Sequence, residues 1–407
     1  MGTIRKRAAR SASAINRSAI TRLSICIPSF SLARFFKFAS AYFFLMASVR
    51  IVGGGPAGLF TAIYCARAGH AATVLEEHKK IGLPVNCTGL VSKTGMDEIG
   101  RDVKIGRCII NEISGARIIA GKNELKIEAK ETKAYVIDRA VFDSLCAKKA
   151  EEEGAKIMLG RRAGEGDLSA EKGAESIIGA DGPNSFVARY FSFPPMRNFA
   201  NTFQVEVEIE TDTRLVQVHL SNRHFPGFFG WVVPLGNGYS RVGVGVGLPN
   251  NARKSFEGFA EMLGICNRRR HNISAAVIPL QMRKKTAMHI GKRNVFLVGD
   301  SAGQVKSTTG GGVVFGCLCA KILGRNIGNP QEYEREWRGK YGGDLKMHYA
   351  IRKALDGMND AMLEKAVGVA GKMKLSPFLE RYGHMDMPMK MTSAESVLNY
   401  LKLLVFG

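Results

Sequence analysis

Residues 48–77, reading SVRIVGGGPAGLFTAIYCARAGHAATVLEE, constrain this chain more than any other stretch. Val49–Val52 is a short apolar run with β-branched residues, the pattern of a buried parallel strand. Gly53-Gly54-Gly55-Pro56-Ala57-Gly58 then gives G-x-G-x-x-G. Gly53 permits the tight turn, Gly55 allows a pyrophosphate to approach the backbone, and Gly58 lets the next helix pack on the strand. That helix, about Ala57–Ala68, carries Leu59, Ile63 and Ala66 on one side and ends at Gly69. Its N-terminus offers unpaired N–H groups and a positive dipole end to phosphates. Ala72–Leu75 reads as the second strand, with Glu76 at its end, where a carboxylate accepts both ribose hydroxyls of an adenosine. Glycines also make ordinary turns. Here the strand before, the helix after and the acid at the right distance together point to a dinucleotide site. The motif alone does not separate NAD from FAD.

The 407 residues are enough for two domains or more, and 45% hydrophobic content supports a sizeable core. A formal charge of +22 suggests an anionic partner. No basic stretch of the body interleaves with aromatics as a nucleic-acid platform does, which favours an anionic membrane surface or a phosphate-bearing substrate over nucleic acid. The eight cysteines (26, 65, 87, 108, 146, 266, 317 and 319) form no C-x-x-C pair. They read as those of a reduced, intracellular protein without a structural metal. Residues 1–47 differ in texture: basic, serine-rich and without acids, in the manner of a transit peptide. The apolar run Phe38–Val49 is too short to span a bilayer and is needed in part as the first strand. The expectation is that the nucleotide-binding domain begins at Met46, with the preceding residues disordered or a mis-called start. A genuine targeting or membrane-surface segment is the alternative.

Further along, Pro84-Val85-Asn86-Cys87-Thr88-Gly89-Leu90 lies in a loop-like stretch broken by Gly82, Pro84 and Gly89. Residues 106–135 read as short alternating strands. Ala140–Glu153 has a helical pattern, with Arg139 at its start and Asp138 or a neighbour as cap. Arg139 there serves a phosphate, a ring or a surface ion pair. Glu175–Ala180 reads as a strand before the turn Asp181-Gly182-Pro183-Asn184-Ser185. Between 203 and 246 the sequence alternates as half-buried antiparallel strands do. Phe228-Phe229-Gly230-Trp231-Val232-Val233-Pro234 and Val242-Gly243-Val244-Gly245-Val246 read either as the wall of an apolar cavity or as plain core. Asn294–Asp300 is a buried strand ending in Gly299-Asp300. It leads to Thr308-Thr309-Gly310-Gly311-Gly312 and an apolar helix, Val313–Leu323. An acid at a strand's carboxyl end holds a hydroxyl chain, and a glycine loop opening a helix lets a flat ring lie on backbone N–H groups. From Gln331 onward the chain reads as helical, basic and rich in methionine, as adaptable apolar surfaces are. Its last apolar face, with Val397, Leu398, Leu401, Leu404 and Val405, suits docking on the core or contact with lipid.

In this order the stretches GGGPAG with Glu76, PVNCTGLVS, YVIDRAVFD, GADGPNS, FGWVVP and GDSAGQVKSTTGGG resemble the geranylgeranyl reductase family, over roughly Val49–Leu323. The resemblance implies an α/β (α+β) fold. It comprises a Rossmann-like FAD-binding domain of the aromatic-hydroxylase/glutathione-reductase type, an inserted antiparallel-sheet substrate domain and a helical C-terminal part. The implied division assigns 48–105, 135–195 and 290–328 to the FAD domain, 106–134 and 196–289 to the substrate sheet, and 329–407 to the helical region. By the same resemblance Gly53, Gly55, Pro56, Ala57 and Gly58 cradle the FAD pyrophosphate and Glu76 takes the adenosine ribose. Arg139 and Asp181 lie along the cofactor. Gly299 and Asp300 meet its ribityl and pyrophosphate region, and Gly310, Gly311 and Gly312 back the isoalloxazine. Cys87 lies close to the flavin, as the tentative catalytic residue. Phe229, Trp231 and Pro234 belong to the substrate-wall motif facing a prenyl chain.

The implied activity is saturation of geranylgeranyl chains, in the manner of the archaeal branch acting on isoprenoid ether lipids. It joins a hydride from flavin N5 to a proton from Cys87, a bound water or the flavin itself. With no second G-x-G-x-x-G, electrons are expected from ferredoxin or another small donor protein, or from a reduced nicotinamide or deazaflavin. The expected location is peripheral, on the inner face of the cell membrane. Two rivals stand beside this reading: a flavin monooxygenase of an apolar or aromatic substrate, and a non-catalytic membrane-associated electron carrier. A halogenase calls for W-x-W-x-I-P, and here Phe229 takes the place of the first Trp.

Overall fold

The computed structural model describes residues 47–169, 175–373 and 375–392. Residues 1–46 and the apolar segment containing Val397 and Leu401 lie outside the described residues. The first sheet has the strand order Ala287–Ile290, Arg293–Leu297, Ser176–Gly179, Ser48–Val52, Ala71–Leu75 and Lys156–Met158. Every pairing is parallel except that of the first two strands. Parallel strands are covered on both faces and so read as continuous apolar runs. Val49, Ile51, Val74 and Phe296 are accordingly buried. Helices Pro56–Arg67, Arg139–Glu152 and Val313–Arg325 pack on this sheet through Leu59, Ile63, Phe142, Phe315 and Leu318. The sheet thereby directs its carboxyl ends, with their loops, toward one side, where open α/β sheets bind ligands.

The alternating segment after residue 106 divides between two sheets. Ile109–Ile113 joins Ala134–Ile137 and Leu90–Ser92 in a small antiparallel sheet. Gly115–Ala120 and Asn123–Glu128 instead complete a seven-stranded sheet after Arg270–Pro279, Phe199–Glu208, Tyr239–Gly247, Gly230–Pro234 and Leu215–His219. The far edge of this sheet is covered, as exposed edges need to be. Leu363 and Val367 of helix Asp360–Lys372 pack on Ala120 and Leu125, and Asn123 Nδ2 donates to the Glu364 carbonyl at 2.8 Å.

Strand Tyr239–Gly247 shows how the sheet serves two purposes. Successive side chains point to opposite faces. Val242, Val244 and Val246 are buried with Phe256 and Phe259 of helix Ala252–Met262. Gly243 and Gly245 face the other way, where aromatic rings lie flat on the backbone. A Cβ on Gly243 would sit 2.4 Å from Trp231 Cζ2, and one on Gly245 would sit 2.1 Å from Phe228 Cδ1. The alternation of valine and glycine thus separates a conventional core from an aromatic wall. Downstream, Tyr333 and Trp337 of helix Pro330–Trp337 are buried in the main core. Among the described residues no helix is long and apolar enough to cross a membrane.

Gly243→Val has nowhere to place its side chain without moving Trp231. Overpacking of this kind costs about 1–3 kcal/mol. Urea unfolding, compared with wild type at neutral pH, is expected to show that loss.

Candidate functional site

The glycine loop at Gly53–Gly58 is built by steric necessity. Gly53 has φ +104°, and a Cβ there would lie 2.4 Å from the Ala180 carbonyl oxygen. A Cβ on Gly58 would lie 2.0 Å from the Gly53 oxygen. These two glycines therefore let chain meet chain. Gly55 is different: nothing lies within 4 Å of its would-be Cβ, and it opens into a cavity with Pro56 and Ala57. Glu76 stands behind the loop. Its Oε2 accepts from the Gly54 N–H at 2.7 Å and its Oε1 from the His78 N–H at 2.8 Å. The neighbouring Glu77 lines the cavity instead.

The cavity has a volume of about 1230 Å³ and runs from this loop to the face of the seven-stranded sheet. Cys87, Arg139, Asp181, Gly299, Asp300, Gly310, Gly311 and Gly312 all line it, although they come from elements far apart in the chain. So do Phe229 and Trp231. Pro234 does not. In strand Gly230–Pro234 the period of two directs Trp231 and Val233 into the cavity and carries Pro234 to the opposite side, where its carbonyl accepts from Asn111 Nδ2.

Two helices begin at this cavity, Pro56–Arg67 after Gly55 and Val313–Arg325 after Gly312, and neither has a side-chain cap. Helices starting at Lys93, Arg139, Phe186, Ala252, Pro330 and Asp360 are capped by Ser92, Asp138, Ser185, Asn251, Asn329 and Asn359. The first N–H groups of a helix need acceptors. Helices Glu165–Leu168 and Gly343–Asp356 also lack a side-chain cap, but only the two starting after Gly55 and Gly312 open into the cavity, where their N–H groups can serve a ligand with the positive dipole end behind them.

The acids of the site show the same incompleteness. Asp181 Oδ2 accepts from the Val187 N–H at 3.1 Å, but its buried Oδ1 has no partner. Burial raises its pKa, against hydrogen bonds from Ser185 and the Val187 backbone. Burial also raises Asp300, to about 6, opposed by the charge of Arg139. A carboxyl in this state gains by receiving a hydroxyl donor. Arg139 makes a two-bond pair with Asp143, both bonds 3.1 Å, away from the surface. Burial works against its charge, and Asp143 with Cys87 outweighs that and raises its pKa. Half-buried Cys87 thus sits beside a fixed cation.

Residues 46–327 match the FAD binding domain family. The chain belongs to that family. Among its relatives is a digeranylgeranylglycerophospholipid reductase of Methanopyrus kandleri, 30% identical over 348 residues, 75% of this chain and 85% of that protein. Another of that name, from Methanothermobacter thermautotrophicus, is 28% identical over 360 residues, 78% of this chain and 89% of the relative. A geranylgeranyl bacteriochlorophyll reductase-like protein from Thermoplasma acidophilum has the same fold, with a TM-score of 0.71 at 22% identity. The match covers 88% of this chain and 96% of that one.

FAD is the family's cofactor, and the residues present fit it. The open backbone at Gly55, the two helix starts, the orphaned Asp181 oxygen and the buried Asp300 carboxylate offer donors and acceptors for a pyrophosphate, a hydroxyl chain and a flat ring. Sequence reasoning missed several neighbours. Gln204 Oε1 accepts from Trp231 Nε1 at 3.1 Å and from Thr88 Oγ1 at 2.6 Å, joining the aromatic wall to the Cys87 loop. Arg241 Nη1 holds the Thr88 carbonyl at 2.7 Å, while its Nε holds Glu206 at 2.9 Å. Polar residues in alternating strands carry no local mark of such pairings. Lys306 and Met385 also line the cavity.

Gly55→Val is expected to fold, because its Cβ meets open space and Gly55 has an ordinary φ of −77°. It is expected to lose FAD, read as the ratio of flavin to protein absorbance. Asp300 gives a pH signature in the apoprotein. Its folded pKa lies above the unfolded value near 3.9, so the folded state binds more protons between about pH 4 and 6 and stability falls as pH rises through that window. Asp300→Asn is expected to remove this component, up to roughly 3 kcal/mol, measured as the wild-type-minus-variant unfolding free energy across that range.

Proposed function

We propose that the protein saturates carbon–carbon double bonds in the geranylgeranyl chains of isoprenoid ether lipids. The observation that carries this reading is continuity: one cavity joins the cofactor loops to an apolar wall. That wall contains Phe203, Val218, Phe229, Trp231, Val233 and Ile278. Phe228 and Phe229 stack with centroids 4.4 Å apart, and Phe229 meets Trp231 edge-on at 5.7 Å. Such a surface suits a long prenyl chain. The names borne by the reductase relatives support the same substrate class.

An isolated trisubstituted alkene accepts hydride poorly, because no carbonyl drains the charge. FAD, when bound and reduced, supplies the hydride from its N5. The chain's own residues do the rest by orienting and drying the site. Trp231, fixed through Gln204, holds the alkene against the glycine loop, and the aromatic wall excludes water. Farther out, exposed Asn250 and Arg253 form a polar rim suited to a glycerophosphate headgroup. Leu248 and Ile273, 49% and 60% exposed, adjoin the rim residues Pro249 and Ser274. With the +22 charge they suit peripheral contact with the anionic inner face of a membrane. Electrons come from a small donor protein or a reduced nicotinamide or deazaflavin.

The test is anaerobic. The flavin is reduced with dithionite and a geranylgeranyl ether phospholipid is added. Flavin reoxidation with lipid mass gains of two hydrogens per step is the expected result. Trp231→Ala is expected to keep FAD and slow reoxidation by about 10²-fold, the scale of a misplaced reactant. A flavin that stays reduced with lipid, yet turns over with oxygen to a hydroxylated product, would replace this reading with a monooxygenase.

A further inference from the structure

Lys306 is a buried charge that the reaction above leaves without a task. Its side chain is 6% exposed, and Nζ donates to Asp386 Oδ1 at 2.6 Å. The other Asp386 oxygen accepts from Ser92 Oγ, the cap of helix Lys93–Ile99. Burial would raise the Asp386 carboxyl, yet the Lys306 charge and the hydrogen bonds from Lys306 and Ser92 hold it below the usual range. The loop closes on the lysine: Lys306 N–H donates to the Gly311 carbonyl at 3.2 Å, and Gly310 N–H donates to the Lys306 carbonyl at 2.8 Å. A Cβ on Gly311 would lie 2.7 Å from Lys306 Cε and 3.1 Å from Nζ. The ammonium therefore stands against the Gly310–Gly312 backbone, with its carboxylate partner anchored at Ser92.

The other cations of the cavity wall are placed differently. Arg139 is paired in full with Asp143, and Arg253 is exposed at the rim. His348, behind the wall and not part of the cavity lining, meets Thr308 Oγ1 through its Nδ1 at 2.7 Å; burial pushes it down to about 4, so it is neutral at pH 7. Lys306 thus supplies the positive charge at the glycine loop.

We propose that Lys306 sets the reduction potential of the bound flavin, with Asp386 positioning the ammonium and moderating its field. Two electrons and one proton entering the oxidised ring leave one net negative charge on it. A cation held at the loop that backs the ring favours this state over the neutral oxidised one. The inference rests on the assignment of Gly310–Gly312 to the flavin ring within the reading above, and it needs no lipid.

The midpoint potential of the holoenzyme is measured by anaerobic dithionite titration against redox dyes, with FAD content recorded. Lys306→Met is expected to weaken the reduced state relative to the oxidised at least tenfold, a fall of about 30 mV for a two-electron couple. Lys306→Arg is expected to stay close to wild type. Asp386→Asn, which removes the countercharge and leaves the lysine, is expected to raise the potential. An unchanged midpoint in Lys306→Met, or a fall in both Lys306→Met and Asp386→Asn, overturns the proposal in favour of a purely structural pair. Should Lys306→Met not retain FAD, Asp386→Asn decides: an unchanged or lowered midpoint overturns it. Shifted potentials without lipid saturation would sink the substrate assignment alone. Lipid saturation with unshifted potentials would sink this inference alone.

Discussion

Two helix N-termini, after Gly55 and after Gly312, open into one cavity without a side chain to cap them. Their N–H groups, without a side-chain acceptor, are well placed to meet a bound anion or a polar ring edge. The parallel sheet exists, in effect, to aim both helices at the same place. Each packs on the sheet through a wholly apolar face, and the turn that precedes it is forced by glycine. Asp181 and Asp300, buried at neighbouring strand ends, extend the same logic to acceptors. The site is electrostatically incomplete by construction, and FAD completes it.

The second sheet answers a different demand. It buries one face in a conventional core and turns the other toward the cavity. Val242, Val244 and Val246 satisfy the first need and Gly243 with Gly245 the second, because a residue without a side chain lets Trp231 and Phe228 lie on the strand itself. The wall is rigid because the rings are held from several sides. Trp231 packs against Gly243, meets Phe229 and donates to Gln204, which also holds Thr88 next to Cys87. The Cys87 loop and the aromatic wall therefore share one hydrogen-bonding centre. Lys306 and Asp386 do the same at the other loop, tying the C-terminal segment to the cofactor backbone.

Local sequence determined a great deal. The run from Val49 to Glu76, the turn at Asp181, the strand into Gly299 and the loop at Gly310–Gly312 each carry a pattern that backbone sterics and apolar periodicity make unambiguous. Together they carry the family resemblance that implies the fold class and the cofactor. Alternation between 203 and 246 likewise announced half-buried strands. These features are legible because they depend on neighbours three or four residues away.

Tertiary structure alone decided the rest. Whether Phe229 and Trp231 were core or cavity depended on which face of the sheet the helix Ala252–Met262 covered, and periodicity is blind to that. The parity of one short strand turned Trp231 and Val233 toward the cavity and Pro234 away from it. Arg139 could have been a surface ion pair, and burial beside Asp143 made it an interior charge. Gln204, Arg241, Lys306 and Asp386 pair with residues between 27 and 294 positions away. No local rule marks such partners, because a buried polar group is defined by what the rest of the chain brings to it.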